Sequence, residues 1–263
     1  MRRFPAVLAL FLFVTPAWPA PLGPALPPGL EPGGDVVVAA VIDGDSLTLS
    51  DGRTVRLVGL QAPKLPKGRR NFPEWPLAQE ARSALQRLLE GQTVMLYYGG
   101  AQTDRYGRVL GHLVRADGLW IEGEMLREGM ARVYTFPDNR AVAQPMLALE
   151  QESRAAHRGI WADPFYAIRT PEEAVRYEGS YEIIEGRIVD AARTQSGVFL
   201  NFGADWRTAF TLRLRPDALK LFRAAGSEPL ALNGKTVRVR GWIRRDRLRA
   251  VIDITHPEEI EIL

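Results

Sequence analysis

Apolar and β-branched residues dominate Val36 to Leu49, and the run breaks only at Asp43-Gly44-Asp45. The pattern predicts two short strands or one bent strand, with the polar triplet at the bend. Asp51-Gly52 is a hairpin signal, and Thr54 to Leu60 returns as a strand. Leu65 to Pro76 is rich in proline and basic residues and reads as a loop. From Leu77 the period changes: Leu77, Ala81, Ala84, Leu85 and Leu88 share one helical stripe that Gly91 ends. Thr93 to Tyr98 and Val109 to Val114 read as strands, and Asp117-Gly118 turns after the second. Ile121, Met125 and Leu126 predict a short helix before Gly129. A longer helix is expected over Gln144 to Arg158, with Pro145 in its first turn and Gly159 as its C-cap. Three strands, a helix, two strands and two helices point to a small barrel flanked by helices.

A second β-rich unit follows. Residues 164–178 contain Pro164 and Pro171 and read as a linker with room for one helical turn. Strands are expected at Tyr181 to Val189, Val198 to Asn201, Ala209 to Arg215, Thr236 to Trp242 and Arg249 to Ile254, with a helix over Asp217 to Ala225. Five strands with a helix between the third and fourth fit an oligonucleotide-binding (OB) type barrel. The expected fold class is therefore mainly β with flanking helices, one small barrel followed by another. No residue-level repeat joins the halves.

The N-terminus changes the picture of where the protein works. Arg2 and Arg3 precede an apolar run from Val7 to Val14, and small residues follow at Ala17 and Ala20. That order predicts a signal peptide over residues 1–20, export to the periplasm or medium, and no stable membrane insertion after cleavage; an uncleaved anchor is the alternative. Residues 21–34 are rich in proline and glycine and read as a flexible lead-in. Loss of Arg2 and Arg3 lowers the formal charge from +3 to +1, so arginine placement, not global charge, must attract a polyanion. With no cysteine there is no disulfide, thiol nucleophile or cysteine zinc site, and His112, His157 and His256 lie far apart in sequence.

Chemistry concentrates at the first bend. Asp43 and Asp45 point to one side of an extended chain, and paired carboxylates suit a hard cation such as calcium or magnesium. A polar strand turn is the other reading. Arg56 and Arg108 could clamp a phosphate with planar, bidentate geometry and stabilise charge on phosphorus. The basic cluster Lys64, Lys67, Arg69 and Arg70 could grip a nucleic-acid backbone or simply be solvated.

These pieces resemble the staphylococcal nuclease (thermonuclease-like) family. The matching stretches are Val41 to Ser46, Val55 to Leu60 with Ala62-Pro63, Thr103 to Arg108, Leu126 to Ala131 and Gly159 to Trp161, in family order over roughly residues 36–163. The resemblance implies a nuclease-like barrel over residues 35–163 that cuts phosphodiester bonds of DNA or RNA with calcium, magnesium being the other candidate. It implies that Asp45 ligates the metal, that Asp43 supports it, and that Arg56 and Arg108 bind phosphate. Tyr106 and the Tyr134 region fall where relatives place substrate-pocket tyrosines.

Two positions depart from the family. Gln61 stands where a second metal-ligating aspartate is expected, and Lys64 where a glutamate would activate water. Glutamine still offers a carbonyl oxygen to a metal, but lysine stays protonated, with an ordinary pKa of about 10.4. Loss of a positioned base costs on the order of 10²–10⁴-fold. Glu74 is the nearest acid that could replace it. The unit at residues 179–263 resembles the accessory barrel often appended to exported nuclease-like proteins, and could stack single strands on Phe202, Trp206, Phe210 or Trp242 beside Arg207, Arg240, Arg244, Arg245 and Arg247. Three functions remain open: an exported metal-dependent nuclease with an altered site, a nucleic-acid-binding protein that has lost cleavage, and a protein-interaction or structural module.

Overall fold

The first barrel is closed by one bent strand that pairs at both ends. In the computed structural model, which describes residues 23–263, β1 (Glu31–Asp43) pairs through Glu31–Val37 with β5 (Thr93–Tyr98) and through Val38–Asp43 with β2 (Ser46–Leu49). β2 pairs with β3 (Thr54–Leu57), β3 runs parallel to β6 (Val109–Arg115), and β6 returns to β5, which closes the circuit. The expected signal peptide lies outside the described residues. Residues 31–34, expected in a flexible lead-in, belong to β1, and Trp120 N–H donates to Pro24 O at 2.8 Å.

Leu47, Val55, Leu57, Leu96 and Leu113 fill the barrel and are essentially inaccessible. Helix α1 (Ala78–Leu89) buries Ala78, Ala81, Ala84, Leu85 and Leu89; the expected stripe holds at its centre, but Leu77 and Leu88 are only half-buried and Ala78 and Leu89 take their places. Alanine at 81 brings this helix close to the bend after β1. A Cβ on Gly44 would lie 2.6 Å from Ala62 Cβ and 2.8 Å from Ala81 Cβ, so the bend accepts no side chain at 44.

The strand expected over Thr54–Leu60 stops at Leu57. Gly59 turns the chain, and β4 (Leu60–Gln61) leaves the barrel to pair with β7 (Arg132–Val133), which follows α2 (Ile121–Arg127). Helix α3 (Ala143–Ala155) ends three residues before the expected boundary. His157 takes a left-handed φ of 50°, its N–H donates to Arg154 O, and Arg158 N–H donates to Ser153 O, the paired bonds of a Schellman motif. Gly159 opens a 3-10 turn instead, where a Cβ would sit 2.1 Å from Gly129 O.

Residues 164–178 carry two 3-10 turns, Pro164–Tyr166 and Ala174–Tyr177. They are tied to both sides: Tyr166 Oη donates to Pro76 O at 2.7 Å, and Arg169 N–H to Ile183 O at 2.8 Å.

The second unit repeats the wiring of the first. The strand expected over Tyr181–Val189 is β8 (Tyr181–Arg187), and the chain continues into β9 (Asp190–Thr194), which the apolar pattern did not announce. At the bend between them Gly234 N–H donates to Ile188 O, while Val189 N–H donates to Asn201 O, so the ladder changes partner there as it does within β1. β9 pairs with β10 (Gly197–Asn201) and β10 with β11 (Thr211–Leu214). After α4 (Pro216–Ala224), β12 (Thr236–Asp246) pairs with β8 and with β13 (Arg249–Ile254), which runs parallel to β11. A last strand, β14 (Ile260–Ile262), adds to β12. Phe202 and Phe210, candidate stacking platforms in the sequence, are buried in this core.

Charged groups bury the seam between the barrels. Arg240, expected on a basic groove, is fully inaccessible and makes two 2.9 Å bonds to the equally buried Glu150 of α3, with a third to Glu261. Tyr181 Oη donates to Val133 O, Thr135 Oγ1 bonds His256 Nε2, and Arg140 pairs with Glu258.

Candidate phosphate-binding site

Asp43 pairs with Ser46 across the β1–β2 bend, which leaves Gly44 and Asp45 as a two-residue turn. Asp45 N–H donates to Asp43 Oδ1 at 3.1 Å, an Asx-type bond that sets the turn. The turn faces inward: Asp43 and Asp45 are both buried.

Asp45 is saturated with donors. Its Oδ2 accepts from Ala62 N–H at 2.9 Å, pairs with Arg56 Nη1 at 3.1 Å and is bonded by the Lys64 ammonium; Oδ1 accepts from Ser46 Oγ at 3.1 Å. Burial opposes its ionisation, yet the neighbouring Arg56 and Lys64 charges and the donated bonds win, and its carboxyl lies far below the usual range. Burial pushes the Lys64 ammonium below its ordinary value, against the pull of Asp45.

Asp43 is matched in the same way by Lys67, whose ammonium bonds its Oδ2. The loop bends back to make that contact. Lys67 and Gly68 both have positive φ, and Arg69 N–H donates to Pro66 O at 3.0 Å, as in a type I′ turn. Trp75 N–H donates to Lys64 O at 3.0 Å and pinches the loop at its neck. Arg69 stacks over Phe72 at 3.6 Å and donates to Leu65 O and Pro66 O, so it braces the loop from within. Arg70 is exposed.

Gln61 is buried, and its carbonyl oxygen accepts from Arg132 Nε at 3.0 Å and Nη2 at 2.8 Å. The Arg132 guanidinium in turn lies 4.8 Å from the Tyr181 ring of the second barrel. The Gln61 carbonyl oxygen is thus committed to Arg132 at the seam.

Arg56 lies on β3, and Arg108 immediately precedes β6, the parallel neighbour of β3. Val55 pairs with Val109 and Arg56 with Leu110, so Arg108 enters the ladder two residues before the partner of Arg56. Arg56 donates to Asp45 O, Leu57 O and Leu60 O at 2.8–3.2 Å and is locked in place. Arg108 is held by Asp104 at 2.7 Å but keeps 35% of its side chain exposed. Tyr106 is exposed beside it, 5.8 Å from ring to guanidinium.

Other candidates stand apart. Glu74 is exposed and accepts from Gln79 Nε2 at 3.3 Å; among the described residues no bond joins it to the Asp45 cluster. Tyr134 accepts from Trp242 Nε1 at 3.0 Å and packs edge-on against Tyr181, which makes it a seam residue. Trp206 and Arg207 lie on the second barrel, ring to guanidinium 5.1 Å. The sequence reading missed Arg132 and Glu150; the clue was a lone charge amid apolar neighbours in Ala131-Arg132-Val133 and Leu149-Glu150.

The profile of the family described as Staphylococcal nuclease homologue matches residues 54–163. An uncharacterized endonuclease of Escherichia coli is 33% identical over 130 residues, which cover 48% of this chain and 76% of that protein. The chain belongs to the staphylococcal nuclease family. Its other relatives include the protein ParB of Escherichia coli, 34% identical over 181 residues (62% of this chain, 85% of the relative). The thermonuclease of Staphylococcus hyicus is 29% identical over 129 residues (48% of this chain, 75% of the relative).

The calcium implied by family resemblance does not fit this donor set. A divalent ion needs free oxygens, whereas Asp45, Asp43 and Gln61 each already hold a side-chain cation. Among the described residues no group of three or more acids or histidines converges on one point. Three cations, Arg56, Lys64 and Lys67, face two carboxylates; the surplus charge suits an anion.

Proposed function

We propose that this staphylococcal nuclease homologue is an exported protein that grips the phosphodiester backbone of nucleic acid at its first barrel and has lost hydrolysis by the calcium route. The observation that carries this reading is the Lys64 ammonium on Asp45, where the family pattern calls for an acid. Lys64 serves as a tethered cation for the buried carboxylate and cannot act as a general base while it is charged. Lys67, 39% exposed, and Arg108, 35% exposed, present the accessible charge, with Arg70 on the same basic loop and Arg56 and Lys64 holding the floor. Phosphate contacts of this kind position a strand without reading its sequence. Export rests on the basic, apolar and small-residue order of residues 1–20; among the described residues no helix is long and apolar enough to cross a membrane.

The test uses the mature protein with labelled single- and double-stranded DNA and RNA, in calcium, magnesium or chelator. The expected result is salt-sensitive binding that chelator leaves within about twofold, without cleavage. Cleavage that requires a divalent ion and disappears in Arg56→Ala would restore the nuclease reading. N-terminal sequencing of the protein recovered outside the cytoplasm checks the export step.

A further inference from the structure

The outer face of the second barrel carries a hollow with the composition of a nucleobase site. β9 and β10 pair with Ala192 opposite Phe199 and Asp190 opposite Asn201. Val198 and Leu200 alternate into the core with no exposure, so Phe199 and Asn201 point away from it with their partners, Phe199 half-buried and Asn201 buried. Small Ala192 leaves the Phe199 ring uncovered on that side.

A second aromatic wall rises from the loop before β11. Trp206 is 50% exposed there, yet its loop is braced: Arg207 N–H donates to Asp205 Oδ1 at 3.1 Å, and Ala209 N–H to Asp205 O at 2.9 Å. Arg249 ties the walls together. Its guanidinium lies 5.6 Å from the Phe199 ring and 5.7 Å from the Trp206 ring, and it donates to Trp206 O and to Asp246. The polar end is equally fixed, since Asn201 Nδ2 donates to Asp190 Oδ2 at 2.9 Å and Asn201 Oδ1 accepts from Thr211 at 2.9 Å. The hollow has a volume of about 360 Å³, within the usual range of small-ligand sites. A second hollow of about 460 Å³ shares Trp206 and Arg249 and adds Arg207 and Arg247. The pair spans β9, β10, the β10–β11 loop and the turn after β12, which overlaps the second strand and the loops after the first and fourth strands where OB barrels take oligonucleotides.

We infer that this hollow binds one unpaired base of a nucleic-acid strand, stacked against Phe199 and Trp206, with its exocyclic amino group on Asp190 and its phosphate toward Arg207 and Arg247. A carboxylate accepts from the amino group of cytosine and has nothing to offer the matching carbonyl of thymine. The inference stands apart from the reading of the first barrel.

Fluorescence anisotropy of labelled pentadeoxycytidylate and pentathymidylate with the mature chain tests it. The cytidylate is expected to bind several-fold more tightly. Trp206→Ala, in an exposed loop, should weaken binding about tenfold or more, and Asp190→Ala should erase the preference between the two strands. A Lys67→Ala, Arg108→Ala variant separates the sites: it should keep the cytidylate preference while losing affinity for long duplexes. Binding unchanged within twofold by both Trp206→Ala and Asp190→Ala overturns the pocket, whatever the first barrel does. So does a wild-type chain that binds neither pentamer.

Discussion

Replacing Arg240 with methionine isolates the energetics of the seam. The change keeps an unbranched stem and removes two 2.9 Å bonds to Glu150, one to Glu261 and a 3.3 Å bond to Val133 O. Glu150 stays buried and retains Val133 N–H at 2.5 Å and Arg154 Nη1 at 2.9 Å. Stranding one member of a buried pair costs about 3–5 kcal/mol, and the remaining donors place the expected loss near the lower end, about 3 kcal/mol. At about 2–4 °C per kcal/mol for a chain of this size, the melting temperature should fall by about 6–12 °C. The pH dependence supplies an independent sign. In the native protein burial raises the Glu150 pKa, but Arg240 and its hydrogen bonds outweigh it and hold the carboxyl low, so its stabilisation is present above the unfolded pKa and lost in acid. Without Arg240, burial dominates and the folded pKa rises, so the variant's deficit should shrink as pH falls. Urea titrations at pH 7.5 and 5, on Arg240→Met, Glu150→Gln and the double variant, measure both effects. The double variant should recover at least about 2 kcal/mol of the summed single losses. A single-variant loss below about 1 kcal/mol, or additive losses with no pH dependence, would refute the view that this pair holds the seam.

Three further outcomes follow from particular contacts. Lys67→Ala and Arg108→Ala should each weaken duplex binding regardless of sequence and reduce the salt slope by about one; an unchanged slope in filter binding removes that residue from the contact. Gly44→Ala forces a Cβ to 2.6 Å from Ala62 and 2.8 Å from Ala81 and should cost about 1–3 kcal/mol, read by urea denaturation; a neutral result would mean that α1 yields. Burial pushes Glu122 up to about 8, so its contribution is complete below an ordinary pKa near 4.5 and is lost as pH rises through about 8. Glu122→Gln should flatten the stability profile across that window, and calorimetry that shows the same slope in both proteins would contradict it.

Both barrels were legible because their strands alternate cleanly and their helices keep a single stripe. Asp51-Gly52 and Gly91 marked real turns. β9 escaped notice because Asp190-Ala191-Ala192-Arg193-Thr194 has no apolar face: it carries the outer hollow, and its inner side needs only alanine. Helix α3 looked longer because Gly159 invited a C-cap there, whereas His157 performs that task. At the site, Asp43, Asp45 and Arg56 could be placed from pattern and resemblance. That Lys64 and Lys67 would fold onto the carboxylates could not, because the loop's path depends on a left-handed lysine and on a bond across its neck. Arg240 looked like groove material because it is one of four arginines on β12, and nothing in that strand announces that its partner, Glu150, lies ninety residues away on a helix.

The repeated wiring of the barrels gives the molecule an internal control. Arg108 immediately precedes, and Arg249 begins, the fifth strand of its own barrel, beside the parallel third strand. One guanidinium is held by Asp104 beside the Tyr106 ring, and the other lies near the Phe199 and Trp206 rings. Exchanging lysine for arginine at each place asks the same geometric question in two chemical settings. The strand pairing beneath the two arginines is the same, so the comparison turns on what surrounds each guanidinium.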